Sequence, residues 1–442
     1  GNVEAEEAMC QFWQYLPEAK WSEDGKVLHL AAGTHFLGRE KYGSALLLRD
    51  CYTDFEGMIQ EHFANKGLGF AVIGNPGIGK SMLGYLLLYR WACSGQRVVL
   101  HKRGFSDRLL LCSDGAYKLA ESAVGHELAR EDVMYLVDGV EPADAEAARL
   151  VLVTSTDRSI YWEMFKAAGH IKRYMDMWSL EELELCRQRL HSSMPAVDMV
   201  QRFDRWGGSV RYVLEKLDRE DQSSLQTAID SCQTDSINKF VGGSSADAAV
   251  SNRILHLRVQ PDSLCTKTHM TWASPWVAEQ LAFKLWRDER AALASFVSAA
   301  AGMGELGGLR GHLWEGLCHA RYAAGGGFSC RDLQSPEAPP FLLEVAAARS
   351  RIVFEDWQSE QMRTCQAGTY CRPRRRNVAA IDSAVQPDVL LQITVGQDHP
   401  VNCAGLARAV AGMQQQDAIK LYFVVPPDRF RSFPPQAIMQ GK

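Results

Sequence analysis

Residues 69–81 read Gly69-Phe70-Ala71-Val72-Ile73-Gly74-Asn75-Pro76-Gly77-Ile78-Gly79-Lys80-Ser81. Residues 74–81 match the phosphate-binding loop pattern G-x-x-x-x-G-K-[ST] without a gap. The apolar run 70–73 before the loop is typical of a buried strand, and the apolar stretch Met82–Tyr89 after it is typical of a helix. The sequence therefore predicts a strand, a phosphate-binding loop and a helix in this order.

The residue types of this loop suit the binding of phosphate. Glycines let backbone N–H groups turn inward and approach phosphate oxygens closely, and the start of the following helix adds its positive end. Lys80 is expected to reach the β- and γ-phosphates of a nucleoside triphosphate, ATP or GTP, and the Ser81 hydroxyl is expected to bind Mg²⁺. The predicted nucleotide-binding residues of the loop are Gly74, Asn75, Pro76, Gly77, Ile78, Gly79, Lys80, Ser81 and Met82.

A second part of the nucleotide site is expected at the end of a neighbouring strand. The apolar run Val133–Val137 leads to Asp138, which either holds the magnesium ion, usually through water, or forms a turn with Gly139. Many related ATPases have a glutamate directly after this aspartate. Here the nearest acid is Glu141, so Glu141 is the candidate that activates water, and we expect slow turnover.

Three further residues are candidates for contact with the γ-phosphate. Thr154 and Ser155 follow the apolar run Leu150–Val153, and Arg211 ends the stretch Gly207-Gly208-Ser209-Val210-Arg211. The alternatives are a capping Thr or Ser and a surface arginine.

Strand-like runs alternate with helical stretches between residues 67 and about 215. Strands are predicted at Gly69–Ile73, Arg97–Leu100, Val133–Val137 and Leu150–Val153, and a helix at Lys80–Cys93. This alternation predicts an α/β fold whose parallel sheet is covered on both faces. Residues 216–300 are predicted to be mainly helical. Beyond residue 301, strands are predicted at Phe341–Val345, Val378–Asp382, Val389–Val395 and Leu421–Val425.

Composition narrows the class of protein. The net charge is -5, so bulk basicity does not indicate nucleic-acid binding. No apolar run approaches the roughly 20 residues of a membrane span, so no membrane partner is predicted. The 12 cysteines lie scattered without a C-x-x-C pair, which favours reduced thiols and a cytosolic or nuclear working compartment.

The C-terminal segment carries a second group of polar residues. Glu315 lies on a predicted helix, Asp382 ends a predicted strand, and the next strand presents Gln392 and Thr394 on one face. This order matches the nuclease arrangement P-D…[D/E]-x-K, in which carboxylates hold Mg²⁺ against the scissile phosphate. The alternative is a solvated helix glutamate, a turn aspartate and a polar sheet face.

The predicted nuclease group departs from that pattern in its last two positions. Gln392 can bind a metal through its carbonyl oxygen, whereas Thr394 stands where the pattern has a charge-stabilising lysine. His399 lies just beyond and is a candidate proton carrier.

A compact basic run lies just before Asp382. It reads Arg372-Pro373-Arg374-Arg375-Arg376. The four arginines are candidates for contact with a DNA backbone or for a nuclear import signal, and the alternative is a solvated basic loop.

The sequence resembles the Crinkler effectors of oomycetes and fungi, and the related retrotransposon hot spot proteins of trypanosomes. The matching stretches run in order over nearly the whole chain and are Leu46–Tyr52, Gly74–Ser81, Leu86–Arg90, Tyr135–Gly139, Tyr174–Ser179, Glu181–Leu183, Gly207–Tyr212, Ile381–Ser383, Leu391–Val395, His399–Pro400 and Leu421–Pro426.

The resemblance implies a P-loop NTPase domain of the AAA or STAND type, with a helical extension, joined to a nuclease-like α/β domain of the restriction endonuclease superfamily. Family roles fall on Lys80, Ser81 and Asp138 for the nucleotide and Mg²⁺. They fall on Glu315, Asp382 and Gln392 for metal-dependent nuclease chemistry. The expected boundaries are 1–66 for a lead-in segment that packs on the NTPase, 67–230 for the NTPase, 231–300 for a helical linker or lid, and 301–442 for the nuclease-like domain.

The resemblance also implies a place of action. Such proteins are secreted by a pathogen, are delivered into host cells and often act in the host nucleus on DNA, causing cell death. The expected partners are a nucleoside triphosphate, double-stranded DNA and host nuclear proteins, with self-association as a further expectation. The main hypothesis is an effector whose ATP-hydrolysing domain gates a Mg²⁺-dependent DNA endonuclease. The alternative is a nucleotide-switched effector that binds DNA or a host protein without cutting. The family's N-terminal translocation segment is not recognisable, so the chain is expected to be the effector region without its delivery module.

Overall fold

The computed structural model describes residues 3–166, 168–233, 252–288, 304–335, 337–374 and 381–439. The chain divides into two compact units. The first comprises residues 1–225 and 248–273, and the second comprises residues 226–247 and 274–442.

The first unit contains the four strands and the helix that the sequence predicts between residues 67 and about 215. Its strands are β1 Val3–Glu4, β2 Lys20–Trp21, β3 Val27–His29, β4 Ala45–Leu47, β5 Gly69–Ile73, β6 Arg97–Lys102, β7 Arg108–Cys112, β8 Gly115–Leu119, β9 Val133–Asp138, β10 Arg149–Thr154, β11 His170–Tyr174, β12 Leu255–Val259 and β13 Thr268–Trp272. Its helices are α1 Glu7–Tyr15, α2 Asp50–Ala64, α3 Lys80–Cys93, α4 Glu121–Leu128, α5 Arg158–Tyr161, α6 Leu180–Leu190, α7 Ala196–Trp206 and the start of α8 Arg219–Ser231.

An eight-stranded sheet forms the centre of the first unit, in the order β1-β8-β7-β6-β9-β10-β5-β11. Five strands, β6, β9, β10, β5 and β11 in spatial order, are parallel to their neighbours. Strands β7, β8 and β1 extend the sheet beyond β6 with antiparallel pairing. Every residue of β5 is buried, as expected of a parallel strand covered on both faces. The predicted α/β fold with a large, mainly parallel sheet is therefore confirmed.

The two faces of this sheet have different neighbours. Helix α3 covers one face, where a Cβ built on Gly84 would lie 3.6 Å from Leu136 of β9. The other face holds a buried core that includes Ala71, Ile73, Tyr135, Val137 and Leu152. Side chains alternate along a strand, so Asp138 lies on the face of Leu136 and of α3. The carboxyl ends of β5 and β9 meet at one edge of the sheet, with β10 between them.

Residues 255–272 differ from the mainly helical structure predicted for 216–300. They form an antiparallel hairpin in which Leu255 pairs with Trp272. The turn between the two strands contains Asp262, Leu264 and Cys265 with positive φ angles of 59°, 48° and 60°. Glycine usually provides this conformation, and the turn contains none, although Pro261, Asp262 and Ser263 are residue types typical of turns.

The second unit is also mixed α/β. Its strands are β14 Gly326–Cys330, β15 Phe341–Val345, β16 Ser350–Phe354, β17 Thr369–Pro373, β18 Ser383–Val385, β19 Val389–Ile393, β20 Val401–Asn402, β21 Lys420–Val424 and β22 Ile438–Met439. Its helices, after the remainder of α8, are α9 Pro275–Asp288, α10 Gly304–Ala324, α11 Glu360–Thr364 and α12 Cys403–Ala411.

A five-stranded sheet in the order β16-β17-β18-β19-β21 lies at the centre of the second unit. The pairs β16–β17 and β19–β21 are parallel, whereas β18 is antiparallel to both of its neighbours. Several boundaries differ from the sequence-based expectation. Of the predicted strand Val378–Asp382, residues 378–380 lie outside the described residues, and Asp382 precedes β18. Thr394 follows β19, and β21 is shifted by one residue from the predicted Leu421–Val425. Within the described residues, no helix is long and apolar enough to cross a membrane.

Candidate functional site

The loop 74–81 lies between β5 and α3, as the sequence predicts. Gly77 and Gly79 have φ angles of +74° and +92°, which L side chains rarely adopt. Both also have close neighbours, because a Cβ on Gly77 would lie 2.8 Å from the Cβ of Arg211 and one on Gly79 would collide with the Tyr52 hydroxyl. These two glycines are therefore required by backbone conformation and by packing together.

Lys80 occupies the interior of the loop. Its Nζ donates hydrogen bonds to the backbone oxygens of Gly74 at 2.9 Å and Asn75 at 2.6 Å. Burial lowers the pKa of Lys80 to about 7, while the negative charge of Asp138 opposes this effect and the positive charge of Arg211 adds to it. The ammonium group is thus folded back on the loop, beside the first turn of α3, which holds Ser81 and Met82.

Arg211 lies against the loop at Gly77. Its backbone N–H donates to the Gly77 oxygen at 3.4 Å, and its side chain packs over the same glycine. Arg211 begins a π-helical turn that ends at Glu215. This conformation is rare in proteins as a whole, but many of its occurrences lie at functional sites. The structure therefore brings the predicted Arg211 to the phosphate loop.

A buried arginine that the sequence analysis did not single out holds the loop from behind. Arg49, 4% exposed, donates to both carboxylate oxygens of Glu182 at 2.8 and 3.0 Å and to the Ile78 oxygen at 3.2 Å. The indole N–H of Trp178 donates to the same oxygen at 2.8 Å. Burial opposes the charge on Arg49, but its hydrogen bonds to Glu182 hold the pKa of Arg49 above its usual value. We refer to Arg49, Glu182 and Trp178 as the rear clamp of the loop.

Asn75 connects the loop to the hairpin β12–β13. Its side-chain amide donates to the Leu257 oxygen at 2.7 Å, and its side-chain oxygen accepts from the Leu257 N–H at 2.9 Å. A second attachment lies nearby, where Arg258 forms a bidentate ion pair with Asp176 at 2.7 and 3.1 Å. Asn75 is 2% exposed, and its amide nitrogen also donates to the sulfur of Met177 at 3.0 Å.

Asp138 lies at the end of β9, beside a lysine. Lys102 of β6 is the register partner of Asp138, and the two side chains form a buried ion pair. A carboxylate and a serine hydroxyl are oxygen ligands that suit Mg²⁺, so Asp138 and Ser81 fit the ion chemically. Because the carboxylate is already paired with Lys102, a metal ion would have to share or displace that partner.

The other predicted nucleotide contacts lie at the same edge of the sheet or beyond it. The Thr154 oxygen accepts from the Gly74 N–H at 3.3 Å, and within the described residues the buried Thr154 hydroxyl has no hydrogen-bond partner. Alternation along β10 gives Thr154 the face of Leu152, opposite to that of Asp138. The Ser155 hydroxyl accepts from Asp157 N–H at 3.4 Å. Pro76 is half-buried in the loop, and Glu141 lies exposed after β9.

In the second unit, three of the predicted nuclease residues lie together. The Gln392 side-chain amide donates to Asp382 at 2.9 Å and to His399 Nε2 at 2.7 Å. The same Asp382 oxygen accepts from the Ile393 N–H at 2.6 Å. Burial lowers the pKa of His399, which favours the neutral ring, and in the neutral ring Nε2 can accept the amide proton. The Gln392 Oε1 is buried and, within the described residues, has no hydrogen-bond partner.

Glu315 belongs to a different network. Its carboxylate lies 3.5 Å from His319 Nε2, and His319 Nδ1 lies 2.6 Å from the Tyr370 hydroxyl, which donates to the Ser383 hydroxyl at 2.9 Å. Leu391 and Ile393 pack in one cluster with Cys318 and Tyr322 of α10, so Gln392 falls on the face of β19 opposite to that helix.

Glu315 and Asp382 are nevertheless near enough to act on one group. Burial and the charges of these two carboxylates raise the pKa of the Cys318 thiol. Among the described residues, no group of three or more His, Cys, Asp or Glu side chains could hold a metal ion. Asp382 and Gln392 alone are too few ligands for a magnesium site made only of protein groups, so no reaction step is assigned to a metal here.

The remaining predicted residues of this unit are also engaged. The Thr394 hydroxyl accepts from the Gly396 N–H at 3.1 Å. Arg372 forms an ion pair with Glu279 at 2.7 Å, and Arg374 forms one with Glu355 at 2.5 Å. Arg375 and Arg376 lie outside the described residues.

Curated relatives match this chain over most of its length. Crinkler effector proteins 16 and 15 of Phytophthora infestans are each 28% identical to it over 386 residues, which are 84% of this chain. The chain resembles the Crinkler-type effectors. The resemblance inferred from the sequence motifs is confirmed, whereas the link to trypanosome proteins stays a prediction. No family model matches the chain.

The matched region is only part of those relatives, because the chain spans 61% of their length. Among solved structures, AMPPCP-bound DnaA from Aquifex aeolicus is similar with a TM-score of 0.28 and 12% sequence identity. That match covers 56% of this chain and 83% of the DnaA chain. A likeness this loose carries no argument, so the nucleotide site rests on its own residues.

Proposed function

We propose that the first unit binds ATP or GTP together with Mg²⁺ and hydrolyses it. The observation that carries this proposal is the loop itself, with Lys80 inside it, two glycines in left-handed conformations and Arg211 packed on Gly77. Lys80 would contact the β- and γ-phosphates, and Arg211 would contact the γ-phosphate. Ser81 and Asp138 would hold the magnesium ion, which would neutralise phosphate charge.

Hydrolysis is proposed to be slow. Gly139 follows Asp138, and the nearest acid, Glu141, is exposed in the loop beyond β9. A general base has to lie within hydrogen-bond reach of the attacking water, so Glu141 would have to approach the loop when nucleotide binds. Thr154 lies at the same edge of the sheet, and its buried hydroxyl, which has no partner within the described residues, is proposed to contact the γ-phosphate.

For the whole protein we propose the role of a secreted pathogen effector that acts in the host cell nucleus and promotes host cell death. The support is the similarity to relatives named as effectors. The proposed domains are a lead-in segment 1–66, an NTPase 67–230, a linker or lid 231–300 and a nuclease-like domain 301–442.

The second unit is proposed to act on double-stranded DNA as an endonuclease gated by the NTPase. The cluster of Asp382, Gln392 and His399 supports this proposal, because it combines a carboxylate, a neutral histidine and an unpartnered amide oxygen among the described residues. Glu315 and Thr394 are proposed to assist this cluster, and Arg372, Arg374, Arg375 and Arg376 are proposed to contact the DNA backbone.

A specific observation favours the alternative of DNA or host-protein binding without cutting. Thr394 replaces the usual lysine and uses its hydroxyl in a local turn, and Arg372 and Arg374 are paired with glutamates. A nuclease without a charge-stabilising cation beside the scissile phosphate would cut poorly. Self-association on nucleotide is a further proposal.

One experiment tests these proposals together. The full chain is incubated with supercoiled plasmid, Mg²⁺ and ATP, and nicking and phosphate release are measured for wild type, Lys80→Ala, Asp382→Ala and the control Asp388→Ala. Asp388 forms an exposed pair with Lys420 in the same unit, so Asp388→Ala should behave as wild type. Nicking that persists in Asp382→Ala would refute the nuclease site. DNA binding without nicking in wild type would favour the alternative, and loss of nicking in Lys80→Ala would support gating.

A further inference from the structure

The ion pair between Lys102 and Asp138 lies where the proposed magnesium ion would bind. Lys102 ends β6 and Asp138 ends β9, and the parallel register sets the two residues side by side. Their side chains are 8% and 14% exposed. Register partners in a parallel pair share a face, so both side chains lie on the side of the sheet that α3 covers.

Aromatic rings hold the ammonium group of Lys102 in this position. Its Nζ lies 5.3 Å from the ring centre of Tyr42 and 5.6 Å from that of Tyr85. Ring faces attract cations, and the attraction grows when the pair is removed from water. A buried lysine without a counter-charge would be costly, and the Asp138 carboxylate supplies that counter-charge. Lys102 is therefore a fixed cation at this edge of the sheet.

We propose that Lys102 is a built-in counter-ion that competes with Mg²⁺ for Asp138. This inference rests on the proposed nucleotide site. The ammonium group of Lys102 is paired with the carboxylate that the metal would use. A divalent cation placed beside Asp138 would be repelled by Lys102, so the lysine has to release the carboxylate before the metal can bind it. The pair thus raises the half-saturating Mg²⁺ concentration for nucleotide binding.

Removing the charge of Lys102 should strengthen the response to Mg²⁺. A charged hydrogen-bonded pair contributes on the order of 1.5–3 kcal/mol, so its loss should lower the half-saturating Mg²⁺ concentration at least about tenfold. A purely structural role for Lys102 would reduce stability or overall affinity, but it would not shift the Mg²⁺ dependence to lower concentration.

The test measures binding of a fluorescent, non-hydrolysable ATP analogue to the full chain while Mg²⁺ is titrated. Variants are Lys102→Met, which keeps side-chain length without charge, and Lys102→Gln, which keeps a hydrogen-bond donor and covers a failure of the first variant to fold. Lys172→Met is the matched control, because Lys172 lies exposed on β11 of the same sheet. We expect a drop in half-saturating Mg²⁺ for both Lys102 variants and no shift for the control.

Two negative results have different meanings. In the first, wild type and the folded Lys102 variant bind the nucleotide with the same Mg²⁺ dependence. This result overturns the counter-ion role alone. A wild-type chain that binds no nucleotide at any Mg²⁺ concentration overturns the proposed function, and the counter-ion role with it.

Discussion

Replacement of Arg49 by alanine should destabilise the first unit and loosen the phosphate loop. Arg49 is 4% exposed. Its guanidinium group donates hydrogen bonds to the Glu182 carboxylate and to the backbone oxygens of Ile78 and Met177. Breaking a buried ion pair by removing one partner typically costs about 3–5 kcal/mol. The Glu182 side chain is 30% exposed and can recover some hydration, and the Ile78 oxygen keeps Trp178 as a donor. We therefore expect the lower end of that range, about 3 kcal/mol.

The assay is a urea titration of the full chain read by pulse proteolysis, in which each unit is followed by its own fragment. Arg130→Ala is the control, because Arg130 forms a bidentate pair with Asp132 in the same unit but both side chains are exposed. Such an exposed pair should contribute at most about 1 kcal/mol. If Arg49→Ala costs no more than Arg130→Ala, the rear clamp does not hold the loop and the reasoning is wrong.

Three further predictions concern protons and the hairpin. The phosphate charge of a bound nucleotide should raise the pKa of Lys80 from about 7. Nucleotide binding should therefore take up about 0.9 proton per chain at pH 8 and about 0.1 at pH 6. The affinity for the nucleotide should fall as the pH rises above 7. Calorimetry in buffers of different ionisation enthalpy measures this uptake, and equal uptake at both pH values would contradict it. Burial and the nearby charge of Arg258 lower the pKa of His256 to about 3, so the unfolded state binds the proton first and stability should fall by about 2 kcal/mol from pH 7 to pH 5. Replacing His256 with Phe should remove that part of the pH dependence in pulse proteolysis, and an unchanged pH profile would count against it. Asn75→Ala removes two hydrogen bonds to Leu257. Hydrogen exchange of the backbone amides in 255–259, measured by mass spectrometry, should therefore accelerate about tenfold. Unchanged exchange would show that other contacts hold the hairpin.

The phosphate loop could be predicted from sequence because its signals are local. The apolar run 70–73, the glycines and the apolar helix after them each require one conformation, and the observed β5 and α3 have the predicted limits. The attachments of the loop could not be predicted in the same way. Arg49 and Glu182 lie 133 residues apart, and Asn75 and Leu257 lie 182 residues apart. Such partners are chosen by the tertiary fold and leave no local pattern.

The same contrast explains the pair of Lys102 and Asp138. Each residue ends a strand in the structure, but the predicted strand Arg97–Leu100 stops two residues before Lys102. Their contact depends on β6 and β9 being neighbours in a particular register, which strand patterns alone do not specify. Asp138 was therefore predicted as a metal ligand without its competing cation.

In the second unit the sequence identified Asp382, Gln392 and His399, which the structure brings together. Gln392 lies on β19, and Asp382 directly precedes the neighbouring strand β18, so the short connection between the two strands keeps these residues close together. The position of Glu315 depends on which face of α10 packs on the sheet. Leu391 and Ile393 turn toward that helix, and Glu315 is bonded to His319 instead of facing Gln392.

Equilibrium binding of Mg²⁺·ATP to the full chain tests the proposed nucleotide site most directly. Isothermal calorimetry is carried out on wild type, on Lys80→Ala and on Lys172→Ala, which removes an exposed lysine from the same sheet. The proposal predicts one ATP per chain for wild type and for Lys172→Ala, and at least about a tenfold weaker association for Lys80→Ala, because a charged contact to phosphate is lost. Equal affinity in all three proteins, or no binding by wild type, would contradict it.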